Sequence, residues 1–185
     1  MNIPRHGTGG GRGCATEAEF VNLWRYTVDY LVRSGVHQFI YIISPHVKKL
    51  RWAPDVIHCQ GWISHLLPAY LKKAYRDDPI FSSSKVVLSL YDDTPATPFH
   101  PEFAQKARFG GLTPEDLAVL EQPTGINLAK LAVQYADGVI LGAEKVEPEI
   151  VAHCKALGLP ILPFDRKALE DGSYMDAYCS FYDEL

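Results

Sequence analysis

No stretch of this chain supplies the roughly 18 consecutive apolar residues of a membrane-spanning helix, so no membrane partner is expected. The N-terminus also lacks the apolar core of a secretory signal, and a cytoplasmic protein is the simplest expectation. Positive charge is in short supply. With 18 Lys and Arg against 22 Asp and Glu, and the basic residues scattered, no nucleic acid is expected as a partner. Cysteine is scarce: Cys14, Cys59, Cys154 and Cys179 form no C-x-x-C pair, which excludes a zinc knuckle and a redox dithiol. Cys59 and Cys154 fall on apolar-looking faces and read as buried free thiols. Ser/His/Asp and Cys/His triads are missing by spacing, as is any metal-ligand cluster, so neither a metal nor a cofactor is expected. The Gly9-Gly10-Gly11 run follows no strand and fits neither dinucleotide nor Walker spacing. Internal repeats and an inter-domain linker are also lacking.

What remains is a core. At 185 residues, with 47% hydrophobic and 22% charged, the chain suits one globular domain over 16–185, preceded by a disordered or frayed Gly- and Arg-rich segment over 1–15. The organising stretch is Pro54-Asp55-Val56-Ile57-His58-Cys59-Gln60-Gly61-Trp62. Small and β-branched residues between a proline and a glycine predict a short strand buried on both faces of a parallel sheet. Leu66, Leu67, Tyr70, Leu71 and Ala74 then recur at helical spacing, giving the first half of a βαβ unit.

Elsewhere, Thr16 and Glu19 suggest a capping box for a helix to about Ser34, and Val36 to Ile43 reads as a strand followed by a short helix after Pro45. Lys85 to Leu90 is a clear strand ending in Tyr91-Asp92-Asp93, followed by a Pro- and Gly-rich excursion from Thr94 to Gly111. Thr113-Pro114-Glu115-Asp116 predicts a helix to about Gln122. A helix is expected over 127–136, a strand over 138–141, a helix over 148–157, a strand over 160–162 and a closing helix over 174–182. Helical crossovers between successive apolar runs imply parallel pairing. The predicted fold class is α/β, a three-layer sandwich with a mostly parallel, Rossmann-like sheet.

Three segments resemble the N-terminal catalytic domain of bacterial glycogen synthases and plant starch synthases. Pro54 to Trp62, with Pro68-Ala69-Tyr70-Leu71-Lys72 after it, is similar to the family's Pro-Asp-(Val/Ile)-(Val/Ile)-His-x-His-Asp-Trp and Pro-x-Tyr-Leu-Lys. Lys85 to Asp92 is similar to a family strand ending in His-Asn. Asn127 to Asp137 is similar to Asn-x-x-Lys-x-x-(Ile/Val)-x-Tyr-Ala-Asp. These segments place the resemblance from about Lys48 to Leu185, leaving the first 44 or so residues outside it. The resemblance implies the N-terminal half of a GT-B glycosyltransferase that moves glucose from a nucleotide-glucose, usually ADP-glucose, onto an α-1,4-glucan. The family's active site lies between two Rossmann-like domains, with most donor contacts in the C-terminal one. A separate C-terminal domain or a second copy of the chain would then be the protein partner. Here Gln60 stands at the family's second motif histidine, Gly61 at its aspartate, and Tyr91-Asp92 at its His-Asn. No Lys-x-Gly-Gly loop follows a first strand.

In open α/β sheets ligands sit beyond the carboxyl ends of the strands. The candidate substrate-binding residues are therefore His58, Gln60, Gly61 and Trp62 on one strand end and Tyr91, Asp92 and Asp93 on its neighbour. Each also has a plainer role: a hydrogen-bonded structural histidine at His58, a turn at Gln60 and Gly61, packing for Trp62, and a solvated acidic turn at Tyr91 to Asp93. Glu144 and Asp165 share the geometry with weaker cases. Three functions remain open on these residues: an incomplete glycosyltransferase, a non-catalytic module holding glucan or sugar nucleotide, and an inactive fragment.

Overall fold

A computed structural model of the protein describes residues 53–108 and 111–185. The frayed segment expected at 1–15, the helix from Thr16, the strand over 36–43 and the helix after Pro45 lie outside those residues. Among the described residues four strands form one sheet: β1 (Val56–Gln60), β2 (Lys85–Leu90), β3 (Gly138–Leu141) and β4 (Ile161–Leu162). They run in the order β1-β2-β3-β4, and every pairing is parallel. The expected parallel pairing of the runs at 56–59 and 86–90 is present, with Val56 opposite Lys85 and Gln60 opposite Ser89.

Spatial order equals chain order, so crossovers of one hand must all lie on one face of the sheet. On that face lie α1 (Leu67–Lys73), α3 (Gly125–Gln134) and α4 (Pro148–Ala156). Side chains alternate across a strand, and the odd positions of β1 and the even positions of β2 point to these helices. Cys59, Val86, Leu88, Leu90 and Val139 meet Leu71, Ala129, Ala132, Val133, Ile150 and Cys154 in the main core. The two thiols expected to be buried, Cys59 and Cys154, are there, and burial pushes Cys59 up to about 12.

The opposite face is thinner. Val87 and Ile140 meet Phe181 of the last helix, α6 (Tyr174–Asp183), with Val56, Leu162 and Leu185 at the edge. This second layer of helix completes the sandwich.

Helix ends follow local chemistry. Thr124 caps α3 by accepting from the Asn127 N–H, and α4 starts at Pro148 and stops before Gly158, whose φ is 68°. Two short helices were not expected: α2 (Phe103–Ala107), inside the Pro-rich excursion, and α5 (Arg166–Asp171). Asp165 caps α5, and Gly172 ends it at φ 84°.

The helix expected from Thr113 is corrected to a turn followed by a 3-10 segment, Ala118–Glu121. Asp116 folds back on Thr113, accepting from its N–H at 2.9 Å and its hydroxyl at 3.1 Å. Leu117 and Leu120 are both buried, and the tighter three-residue repeat directs both inward. They join Leu66, Ala69, Tyr70, Leu128 and Leu131 in a second core outside α1 and α3.

Candidate functional site

β1 and β2 end side by side, and the turns leaving them are joined. Gly61 has φ 71° and ψ 165°, a conformation open to glycine alone, and a Cβ there would sit 2.9 Å from Asp93 Oδ2. The same carboxylate oxygen accepts from the Trp62 N–H at 3.1 Å. Asp93 thus satisfies the first free donor of the 3-10 turn Trp62–Ser64, which Ser64 tightens by donating to the Gly61 carbonyl at 2.8 Å. A glycine on one strand end and a carboxylate on the next form a single joint.

Trp62 turns toward the second core. Its ring stacks on Phe99 at 6.0 Å between centroids, and Phe99 stacks on Phe103 at 4.6 Å. One face of the indole is therefore engaged by the excursion. Gln60 and Asp92 complete the rim, Gln60 partly buried and Asp92 exposed.

His58 and Tyr91 point to the α6 side. His58 Nε2 lies 2.6 Å from Ser89 Oγ, and the Tyr182 hydroxyl lies 2.8 Å from Nδ1. Tyr178 and Tyr182 each meet the imidazole edge-on with centroids 5.8 Å apart. Desolvation lowers His58 to about 4, so the ring is neutral at neutral pH and carries one donor and one acceptor. Burial raises the Tyr91 and Tyr178 phenols, Tyr178 to about 12, and Ser89 beside them opposes the shift. The Tyr91 ring fills the space left by Gly142, where a Cβ would come within 2.4 Å of it.

The seven strand-end residues therefore divide between the two faces of the sheet. Gly61, Trp62 and Asp93 meet directly, His58 and Tyr91 meet through Ser89, and Gln60 and Asp92 lie at the rim. Glu144 forms an ion pair with Arg166, and Asp165 accepts from the Lys167 and Ala168 N–H groups as a helix cap. Both weaker candidates are thus engaged in local structure.

Ser89, Tyr178 and Tyr182 were missed as partners of this region. The signal for two of them was present, because Tyr174, Tyr178 and Tyr182 recur every fourth residue and make one stripe on α6. Ser89 read only as a polar residue within an apolar strand. His65 was also overlooked: it is 2% exposed, and neither ring nitrogen has a hydrogen-bond partner among the described residues. Among those residues no group of three or more His, Cys, Asp and Glu could hold a metal, and no helix is long and apolar enough to cross a membrane.

A parallel α/β half-domain whose strand ends carry polar and aromatic groups is the architecture of a GT-B glycosyltransferase's Rossmann-like half. The family model described as the starch synthase catalytic domain matches residues 36–160, and the chain belongs to that family. The match takes in the apolar run over 36–43, which the motif comparison left outside. It stops before α5 and α6. Among curated proteins the chain is similar to a glycogen synthase of Fervidobacterium nodosum, 35% identical over 40% of this chain and 15% of that protein. It is likewise similar to the glycogen synthase of Thermotoga petrophila, 33% identical over 49% of this chain and 18% of the relative. The glycogen synthase of Desulforudis audaxviator is 34% identical over 60% of this chain and 25% of its own length. The chain thus spans a quarter or less of each of these three relatives. No solved structure gives a significant match.

Proposed function

We propose that this chain forms one wall of a glucosyltransferase site of the glycogen and starch synthase type, for transfer of glucose from ADP-glucose to an α-1,4-glucan. The observation that supports it is the joint between the β1 and β2 turns, which brings Gln60, Gly61, Trp62, Asp92 and Asp93 to one strand end. The Gln60 amide can donate to one sugar hydroxyl and accept from another, and Asp92 and Asp93 can accept further hydroxyls. Trp62 brings a partly buried indole to the same strand end. His58 and Tyr91 act one layer below, holding Ser89. By the resemblance, the donor's nucleotide belongs to a second Rossmann-like domain, supplied by a separate C-terminal domain or a second copy of the chain.

One observation favours a second reading, a binding module without transfer. Position 60 holds an amide where the family pattern has histidine, and an amide has no titratable proton to move. The isolated chain is therefore expected to hold glucan weakly, at about millimolar Kd, equivalent to roughly 4 kcal/mol, and not to elongate it. Purified protein incubated with ADP-glucose or UDP-glucose and a glucan primer tests transfer directly; chain growth by the protein alone would remove the module reading. NMR titration with maltoheptaose tests the wall. Shifts at Gln60 to Trp62 and Asp92 to Asp93 are expected, whereas shifts confined to 94–111 would place the ligand elsewhere.

A further inference from the structure

The family pattern carries an aspartate between its second histidine and its tryptophan, and this chain has Gly61 there. A carboxylate is nevertheless present at that spot. Asp93, from the turn after β2, puts its Oδ2 only 2.9 Å from where a Cβ on Gly61 would stand. The same oxygen accepts from the Trp62 N–H at 3.1 Å, a bond between residues 31 positions apart. Gly61 is the cap residue of the turn Trp62–Ser64, and it has no side chain to bond the turn. An aspartate in a cap position satisfies a free N–H of the turn that follows it. Asp93 does that work from the neighbouring strand.

The two arrangements exclude each other. A side chain at position 61 would have to adopt φ 71°, which favours glycine, with its first carbon pressed against Asp93. Two carboxylates in that space would also repel each other. In either arrangement the carboxylate fixes the turn out of β1, and so the direction of Gln60 before it and of the Trp62 indole within it. Asp93 Oδ2 is committed to the tryptophan amide, whereas Oδ1 has no partner among the described residues and stays available to a ligand. We propose that Asp93 is the positioning residue of the rim, standing in from the next strand for the carboxylate that position 61 lacks and fixing Gln60 and Trp62 for an α-glucan. This inference rests on the glucan-binding reading of the site and adds which residue sets its geometry.

The test follows the rim by amide NMR and hydrogen exchange on the full chain, with maltoheptaose as the probe. In the wild type the Trp62 amide is expected to be protected, and Gln60 and Trp62 to shift on titration. D93A removes the bond. Trp62 exchange should rise and maltoheptaose affinity fall, each about tenfold, the scale of one hydrogen bond to a charged group. D93N keeps an oxygen acceptor and should stay within about threefold of wild type. G61D alone should weaken binding about tenfold, through backbone strain and crowding against Asp93. G61D/D93A restores a single carboxylate on the other strand. Its affinity should return to within about threefold of wild type, with protection moved from the Trp62 amide to that of Ile63, as a local cap requires. If G61D alone does not fold, a double variant that folds and binds is itself the rescue. A double variant that binds no better than D93A would overturn the exchange of carboxylates. D93A that frees the Trp62 amide without weakening binding would overturn the positioning role and leave the glucan wall standing. Wild-type protein whose strand-end amides do not respond to maltoheptaose would refute the glucan wall, and the positioning role with it, while the Trp62 protection reports the bond separately.

Discussion

His65→Leu should make this protein more stable, and the gain should grow in acid. His65 follows the 3-10 turn, with its backbone N–H donating to the Trp62 carbonyl, and its ring is 2% exposed. Both ring nitrogens are buried without a partner among the described residues. A buried polar group left unpaired costs about 1–3 kcal/mol, and leucine removes both atoms with a shape mismatch worth about 1.5 kcal/mol at most. Taking about 2 kcal/mol for the unpaired group and about 1 kcal/mol for the mismatch, the net gain at neutral pH is about 1 kcal/mol. A second contribution depends on pH. Desolvation lowers the ring from 6.5 to about 4, so below pH 6.5 the unfolded chain binds a proton that the folded chain refuses. Stability from this group is full above the unfolded value and is lost as pH falls toward the folded one. Between about pH 7.5 and 5.5 the wild type loses about 1.3 kcal/mol at His65, and the leucine variant loses none of it. His58 is lowered by the same cause in both proteins and cancels in the comparison. Urea unfolding followed by tryptophan emission at the two pH values measures both effects. A variant no more stable than wild type, with the same difference at both pH values, would show that the imidazole is hydrogen-bonded and refute the reasoning.

Asp116 joins the second core to α1 and α3, accepting from Lys73 Nζ at 2.8 Å, the Tyr135 hydroxyl at 3.0 Å and Thr113. Those donors, Lys73 foremost, hold its carboxyl well below the usual range, so Asp116→Asn should cost about 1–2 kcal/mol at neutral pH by urea unfolding, with the gap shrinking as pH falls below about 4. Gly142→Ala would drive a methyl group into the Tyr91 ring, where a Cβ lies 2.4 Å away, and should lower stability by about 1–3 kcal/mol. A thermal melt unchanged by that substitution would mean the Tyr91 ring is free to move aside.

The sheet was legible because its strands obey a simple rule: apolar runs between glycine or proline stops, separated by helical spacing. β2 shows it best, with five consecutive buried residues from Val86 to Leu90. The excursion was not legible, because its order comes from tertiary contacts rather than local propensity. Phe99 stacks on Trp62, and the Tyr70 hydroxyl donates to the Ala107 carbonyl at 2.9 Å, contacts that span dozens of residues. The candidate residues were legible as one stretch and its neighbour, but their arrangement was not. Chain position assigns Gly61, Trp62 and Asp93 to one end of the sheet, and the structure brings them together. Alternation along β1 sends His58 to the opposite face from Cys59, and only the position of α6 determines what His58 meets there. Asp137 shows the same division. The family-like Tyr-Ala-Asp ends in a residue whose carboxylate accepts from Lys72 at 2.6 Å and from the Val86 N–H at 2.7 Å, tying α1 to β2 at the far end of the sheet from the site.

The two family histidines replaced here change what the strand end can do with a proton. Gln60 never ionises, and Tyr91 is turned inward onto Ser89 with its phenol raised by burial. His58 lies beneath them with its titration lowered to about 4. A glucan held at this rim therefore meets an amide, which has no proton to titrate, where the family pattern offers an imidazole. The affinity for maltoheptaose should accordingly vary less than about twofold between pH 6 and 8, measured by NMR titration at constant ionic strength. His100, exposed in the excursion, is the control, because it lies next in the chain to Phe99 under the indole. A histidine-shaped step in affinity that persists in His100→Gln would show that an imidazole faces the ligand after all, and would move the proposed wall from the Gln60 rim down to His58.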